Sequence, residues 1–575
     1  MRIKYISLAA LLFLSIGVVA QHNEEVTIEG TYRPKVNKVD KILLQPETPQ
    51  QKFEMPVAEV NVKEIEHRFS YQLEALSPQL YSGKNAQMPM PAKNFLMAGL
   101  GSRISPVFLY KHNSNLSKTL GLGVGIKHYS SWLDIKDYAP SSFMNNAFDI
   151  GLTSSKYKNV QLEGNVYYKN DMYHYYGVHL SEHPLTGQEI EKLCPRLTYN
   201  TIGAHFGVVP TSTRVGEANH KFDLDYRYTF NNTNESEHYA GLGYGFAYNQ
   251  NWWGNKSHPQ RIGMDLGFQY GGLVMNEGAS MNHRLLLNTN PFFEMKDEFY
   301  RLHLGFRFDF GINGEDKHLC FRPDLSGSLF VLNKKLEFYA GLNGGLKMLT
   351  FSQIIEENPF MGHWTSLLFQ NVKLGFDGGV RTNIMEVVDL HLGVRYRRVE
   401  NDPLYIPCDY NIDHSTSPSL FNTFMMVYDE TQTVSVMVDT RVKLRNSLTA
   451  DLGFVYNNCT AMVAEYAWYR PTTEGKLKLT YDANENLAFN TTFLYQGGRY
   501  AMVRNDGPLM TKYPPRYDVV KLKDVFDLGL GADYRFNDQL SVFAKLDNVL
   551  NQKYQLFYDY PVTGIQFFAG LKLTF

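Results

Sequence analysis

From about residue 92 to its C-terminus the chain alternates apolar and polar residues in runs too long for an ordinary globular strand. Between Tyr300 and Phe310 one face carries Tyr300, Leu302, Leu304, Phe306, Phe308 and Phe310, and the other carries Arg301, His303, Gly305, Arg307 and Asp309. Phe526 to Phe536 repeats the pattern, as do Lys221 to Phe230, Val388 to Arg397, Val434 to Leu444 and Leu540 to Asp547. These runs are about eight to eleven residues long, the reach of a tilted membrane strand, against roughly five or six in globular sheets. The final segment, Gly564 to Phe575, alternates too and stops on an aromatic ring. That suits a strand that closes a barrel and ends at a membrane interface.

The fold class that follows is all-β: a transmembrane antiparallel β-barrel of about 22 strands, preceded by a short extended N-terminal periplasmic arm. Connections support it. Those near 296–298, 332–334, 383–387, 445–446, 482–485 and 537–538 are short and fall on one side of the sheet. The long ones, near 129–144, 180–198, 350–370, 401–431, 458–471, 500–522 and 550–563, fall on the other, as expected of periplasmic turns and extracellular loops. A mean hydropathy of -0.31 is compatible, because only alternate residues of each strand face lipid.

Residues 1–20 read as a signal peptide: Arg2 and Lys4, an apolar core from Ile6 to Val19, then Ala20. Residues 21–91 form a Pro-rich arm without sustained alternation, expected in the periplasm or the lumen, and 92–575 form the barrel. With 56 basic against 58 acidic residues, nothing points to nucleic acid as a partner. The expected location is the outer membrane, its lipid bilayer the first partner. Cys194, Cys320, Cys408 and Cys459 lie in or beside the long connections, where one or two disulfides and four free thiols are both open.

The polar faces would line the lumen with Arg301, His303, Arg307, Asp309, Arg395, Asp533 and Arg535. Charge at that density needs water, a polar insert or mutual pairing that braces the wall. Tyr173-His174-Tyr175-Tyr176, with His179 and His183, is the densest His and aromatic group, open to a metal site or to an interfacial aromatic girdle. Lys127 to Trp132 places His128 near Ser130 and Ser131, but with no orienting carboxylate identifiable no catalytic residue is assigned. No phosphate-cradling loop or metal signature occurs, so no enzyme activity and no cofactor is expected.

The segment Lys545-Leu546-Asp547-Asn548-Val549-Leu550-Asn551-Gln552-Lys553-Tyr554, followed by Tyr560-Pro561 and Gly564 to Phe575, resembles the C-terminal end of TonB-dependent receptors. Ile565 stands where that family usually has Arg. Glu25-Val26-Thr27-Ile28 resembles the TonB box, whose extended peptide adds a strand to an energising periplasmic protein. The resemblance implies uptake of a solute across the outer membrane, and a barrel-assembly signal in Phe567, Leu571, Leu573 and Phe575 read by the barrel-insertion machinery. The family's lumenal plug exceeds a hundred residues, whereas the arm holds about seventy, so a complete plug is not expected. Inward-folded loops, the arm or another envelope protein would then fill the lumen. A plugless structural or assembly component that binds a partner protein is the alternative function.

Overall fold

The computed structural model of the chain describes residues 93–575 apart from 158, 183, 212–214, 253–259, 276–279, 363–366, 386, 409–422, 446 and 505–516. All of them belong to the second of the chain's two units, His67–Phe575. The signal peptide, the arm, the segment Glu25 to Ile28 and His183 lie outside the described residues.

The first strands are Asn94–Gly101 (β1), Ser105–Asn115 (β2), Leu120–Ser131 (β3), Phe143–Ser154 (β4), Val160–His174 (β5), Arg196–Pro210 (β6), Ala218–Asn231 (β7), Ser236–Gln250 (β8) and Gln260–Val274 (β9). Next come Asn282–Lys296 (β10), Tyr300–Asn313 (β11), Asp316–Val331 (β12), Leu336–Met348 (β13), Phe369–Ile384 (β14), Val388–Pro407 (β15), Phe424–Arg445 (β16), Leu448–Ala461 (β17), Thr473–Asp482 (β18) and Leu487–Gly497 (β19). A hairpin of Tyr500–Arg504 (β20) and Tyr517–Lys521 (β21) precedes Val525–Arg535 (β22) and Leu540–Asp547 (β23). A second hairpin, Gln555–Phe557 (β24) and Tyr560–Pro561 (β25), precedes the last strand, Gln566–Thr574 (β26). Two helices, Gly187–Leu193 (α1) and Phe351–Glu357 (α2), sit in connections.

Without the two hairpins, these strands make one 22-stranded antiparallel sheet in which each pairs with its chain neighbour and β1 pairs with β26, so the sheet closes. The seam runs from Phe95 opposite Thr574 to Gly101 opposite Phe568. One end of the barrel carries the β2–β3, β4–β5 and later even-to-odd turns, for example Leu332 to Lys335, where Leu332, Asn333 and Lys334 all adopt left-handed φ of 53°, 54° and 66°. The other end, the mouth, carries the long connections and all four cysteines, each a free thiol.

Facing is set by alternation. Leu304, Phe306 and Phe308 on β11, and Phe526, Leu530 and Tyr534 on β22, are exposed on the outer wall, with equivalents such as Phe148, Ile150, Ile202, Phe376, Val436 and Phe454 around the circumference. This apolar band is what a bilayer would cover. Two expected strands end differently. The run 159–179 leaves the wall at His174, because Tyr175, Tyr176, Gly177 and Val178 turn inward. β15 and β16 extend past the expected 400 and 432 to Pro407 and Phe424, after a register shift between Val399 and Asp402 with Asn401 at φ 56°. Beyond that bulge the pair is buried among other connections rather than against lipid.

Candidate functional site

Chain segments from all around the wall meet inside the mouth. A single buried cluster contains Tyr175, Leu197 and Tyr199 from the β5–β6 side, Leu273 from β9, Phe351, Ile354, Ile355, Phe360, Met361 and Leu367 from the β13–β14 connection, Tyr405, Phe424 and Met426 from β15 and β16, and Tyr560 from the last hairpin. Residues rooted in such widely separated strands reach one another only across the lumen. The Tyr560 ring stacks on Phe360 with centroids 3.8 Å apart. Tyr176 meets both edge-on, at 4.9 Å from Tyr560 and 5.6 Å from Phe360. Phe557 packs against Phe424 at 5.2 Å, Tyr469 at 5.0 Å and Tyr405 at 6.0 Å. Edge-on and offset rings of this kind stabilise beyond their area alone.

Helix α2 supplies one half of this filling. Thr350 and Gln353 form a capping box at its N-terminus, and Asn358 donates back to the Ile354 carbonyl at 2.8 Å. The helix is fastened to the wall by charge. Glu237 of β8 and Arg284 of β10 form a fully buried ion pair; Glu237 accepts the Phe351 N–H at 2.8 Å and Arg284 donates to the Leu349 carbonyl at 2.6 Å. Arg227 reaches the Thr350 hydroxyl at 3.1 Å, and Lys169 pairs with Glu356 at 3.1 Å. Tyr175 donates to the Met361 carbonyl at 2.6 Å and Tyr199 to the Pro359 carbonyl at 3.1 Å.

The β24–β25 hairpin supplies the other half, and the C-terminal sequence motif builds its stem. Asn548 donates to the carbonyls of Gln552 at 2.9 Å and Thr563 at 3.0 Å, tying the two legs together. Asn551 accepts the Ile565 N–H at 3.0 Å, an approach open only because Gly564 has no Cβ, which would lie 2.2 Å from the Asn551 oxygen. Tyr554 donates to Asp527 at 2.8 Å. The hairpin tip places Asp559 near Glu182 and His179 of the β5–β6 connection, and burial, then Glu182, pushes its carboxyl up to about 6. Burial also pushes the Tyr175, Tyr176 and Tyr469 phenols well above their usual range.

The lumen charges named from sequence do not converge on this site; they sit along the wall in local pairs. His303 lies between Glu294 at 3.2 Å and Asp324 at 3.4 Å, and Arg307 bonds Asp309 at 2.9 Å, which also accepts the Leu346 N–H at 2.7 Å. Arg395 pairs with Asp377 at 2.7 Å, Asp533 with Lys572, and Arg535 donates to the Glu485 carbonyl. Arg301 lies 6.0 Å from the Phe330 ring centroid. In the seam, Phe568 is buried, while Phe567, Leu571 and Phe575 are exposed on the outer wall and rim. The His and aromatic group is split: Tyr175 and Tyr176 enter the mouth cluster, His174 bonds the Ser142 carbonyl at 2.8 Å, and His179 stacks edge-on with Tyr138. No group of His, Cys, Asp and Glu suited to a metal ion occurs among the described residues. Sequence reasoning missed Phe360, Tyr560 and α2, although Thr350-Phe351-Ser352-Gln353 ahead of Ile354-Ile355 carries a capping-box signature.

Similar architecture is found in solved receptors. The siderophore receptor PirA from Acinetobacter baumannii superposes with a TM-score of 0.61 at 11% identity, covering 85% of this chain and 81% of that one. The ferric-catecholate import receptor Fiu from K12 E. coli gives 0.59 at 9% identity, over 85% and 82%. The copper transporter OprC gives 0.57 at 12% identity, over 86% and 82%. The fold is that of the TonB-dependent receptor barrel. No protein-family model and no curated protein matches the sequence. The receptor-like barrel therefore rests on strand number, closure and connection, with the mouth filled by the chain's own connections.

Proposed function

We propose that the protein sits in the outer membrane and admits a solute through a lumen whose mouth is held by its own loops. The observation that carries this reading is the aromatic cluster crossing the mouth above a wall of water-accessible charges such as Asp439 and Arg441. A wall that stays polar and hydrated below a filled mouth is suited to passage, whereas a scaffold would gain from an apolar interior. The receptors and the transporter of similar fold take up iron chelates and copper, which supports the uptake class without fixing the solute. Aromatic faces and tyrosyl hydroxyls favour a flat organic solute or chelate over a bare ion. Coupling to a TonB-like protein through Glu25, Val26, Thr27 and Ile28 belongs to the same proposal.

Recovery in the outer-membrane fraction with heat-modifiable gel migration tests location; a soluble monomer would overturn it. Planar-bilayer recordings test passage. A pore that stays silent however its mouth is altered favours the rival reading, an assembly component that binds a partner protein.

A further inference from the structure

The two halves of the mouth filling are fastened in different ways. Helix α2 follows β13 after only Leu349 and Thr350 and is locked by charge: the buried Glu237–Arg284 pair, the part-buried Arg227 contact and the more exposed Lys169–Glu356 pair. Such charge-assisted bonds are roughly twice as strong as neutral ones. The β24–β25 hairpin is held mainly by ring contacts, with Tyr176 donating to the Pro561 carbonyl at 3.1 Å and one charged donor, Arg499, at a long 3.3 Å from the Leu556 carbonyl. Its tip sets Asp559 against the like-charged Glu182. Its connection also contains three non-glycine residues in left-handed conformation, Asn548 at φ 49°, Asn551 at 51° and Asp559 at 62°. Asn and Asp tolerate that region best; at Asn548 and Asn551 it shapes the fixed stem, and at Asp559 the tip.

We propose that the hairpin Gln555–Pro561 is the moving half of a gate and helix α2 its fixed half, an inference that rests on the transport reading above. Opening lifts the Tyr560 and Phe557 rings off Phe360 and Phe424, while α2 stays on the wall. The stem bonds of Asn548 and Asn551 keep the hairpin's legs in place, so the movement is confined to the part beyond Tyr554. A solute that stacks on aromatic rings would compete with Phe360 for the Tyr560 face, which couples binding to release of the latch.

The test uses the full chain in two measurements. Hydrogen exchange of the wild-type protein in lipid, read by mass spectrometry, is expected to be at least tenfold faster over 555–562 than over 351–358. Bilayer conductance is expected to be silent in the wild type and open after Gln555–Pro561 is replaced by a Gly-Ser-Gly bridge, with heat-modifiable migration confirming that the variant is a folded barrel. Equal exchange in the two segments overturns the latch and leaves the transport reading standing. So does a pore that opens only when residues 351–362 are removed. Silence in both deletion variants, each folded, overturns the transport reading itself.

Discussion

Asn94 and Phe575 exchange both of their backbone hydrogen bonds, N–H to carbonyl at 2.8 Å and 3.0 Å, so the last residue of the chain is stitched to the first residue of the barrel. Two backbone bonds contribute roughly 1–3 kcal/mol together, little for a sheet of this size. The Phe575 side chain, moreover, is exposed. Its ring is therefore expected to matter for assembly rather than for stability. Phe575→Ala, which keeps the backbone bonds, should lower the heat-modifiable fraction in cells several-fold while leaving the urea resistance of the assembled barrel unchanged. Normal assembly would count against a signal at this position.

The Glu237–Arg284 pair is buried on both sides, so removing one partner strands a charge. Glu237→Ala is expected to cost about 3–5 kcal/mol, and Glu237→Leu with Arg284→Met to recover most of that loss. Urea unfolding in lipid, followed by Trp fluorescence, measures both. A single variant as stable as wild type would show that the clamp on α2 is not what holds it.

Gly177 lies under the Tyr560 ring, and a Cβ there would stand 2.5 Å from it. A ring in a packed cluster cannot retreat without disturbing Phe360 and Tyr176. Gly177→Ala should therefore loosen the mouth by about 1–3 kcal/mol. Brief open events in bilayer recordings, absent from wild type, are the expected readout.

Asp559 titrates in a useful range. Its carboxyl is raised to about 6 by burial and Glu182, against His179, while Tyr138, Tyr558 and Tyr469 also feel its charge or share its surroundings. A carboxyl raised above its unfolded value of about 4 binds its proton more tightly when the hairpin is seated. The seated state is thus favoured at low pH and weakens as pH rises from about 4 through 6. Corrected for intrinsic chemistry, exchange over 555–562 should accelerate on the order of tenfold between pH 5 and 7. Asp559→Asn should abolish that dependence, and a dependence that persists would place the titrating group elsewhere.

Cys194 closes α1 and is buried, which pushes its thiol up to about 11. The native protein should resist a membrane-impermeant maleimide at this position at neutral pH, since the thiolate is the reactive form. Release of the neighbouring hairpin by the Gly-Ser-Gly replacement should expose it. Peptide mapping after labelling gives the comparison.

The wall was legible in the sequence because lipid on one side and water on the other impose the period of two. Each alternating run named from sequence, from 221–230 to 564–575, falls on a barrel strand. The mouth was not legible, for the opposite reason. Residues 402–407 and 424–429 still form a ladder, but both faces are covered by protein, so Asp402 can sit buried against Arg470 and Thr431 and the alternation disappears. Tyr175, Phe360 and Tyr560 share no local pattern, since their partners lie hundreds of residues away. The C-terminal motif was visible as a resemblance. That its asparagines tie the stem of a hairpin that enters the mouth is information carried by Asn548 meeting Thr563, not by either residue alone.

The bonds that fill the mouth also bear on how the chain reaches its final state. Tyr175 meets Met361 across 186 residues and Tyr176 meets Pro561 across 385, separations that a chain brings together late and slowly. The last hairpin, which lies between β23 and β26, reaches Phe360 across the ring that the pairing of β26 with β1 closes. If the wall closes before Tyr560 seats on Phe360, the barrel passes through a stage in which its mouth is not yet latched, and the slow search for these distant contacts sets how long that stage lasts.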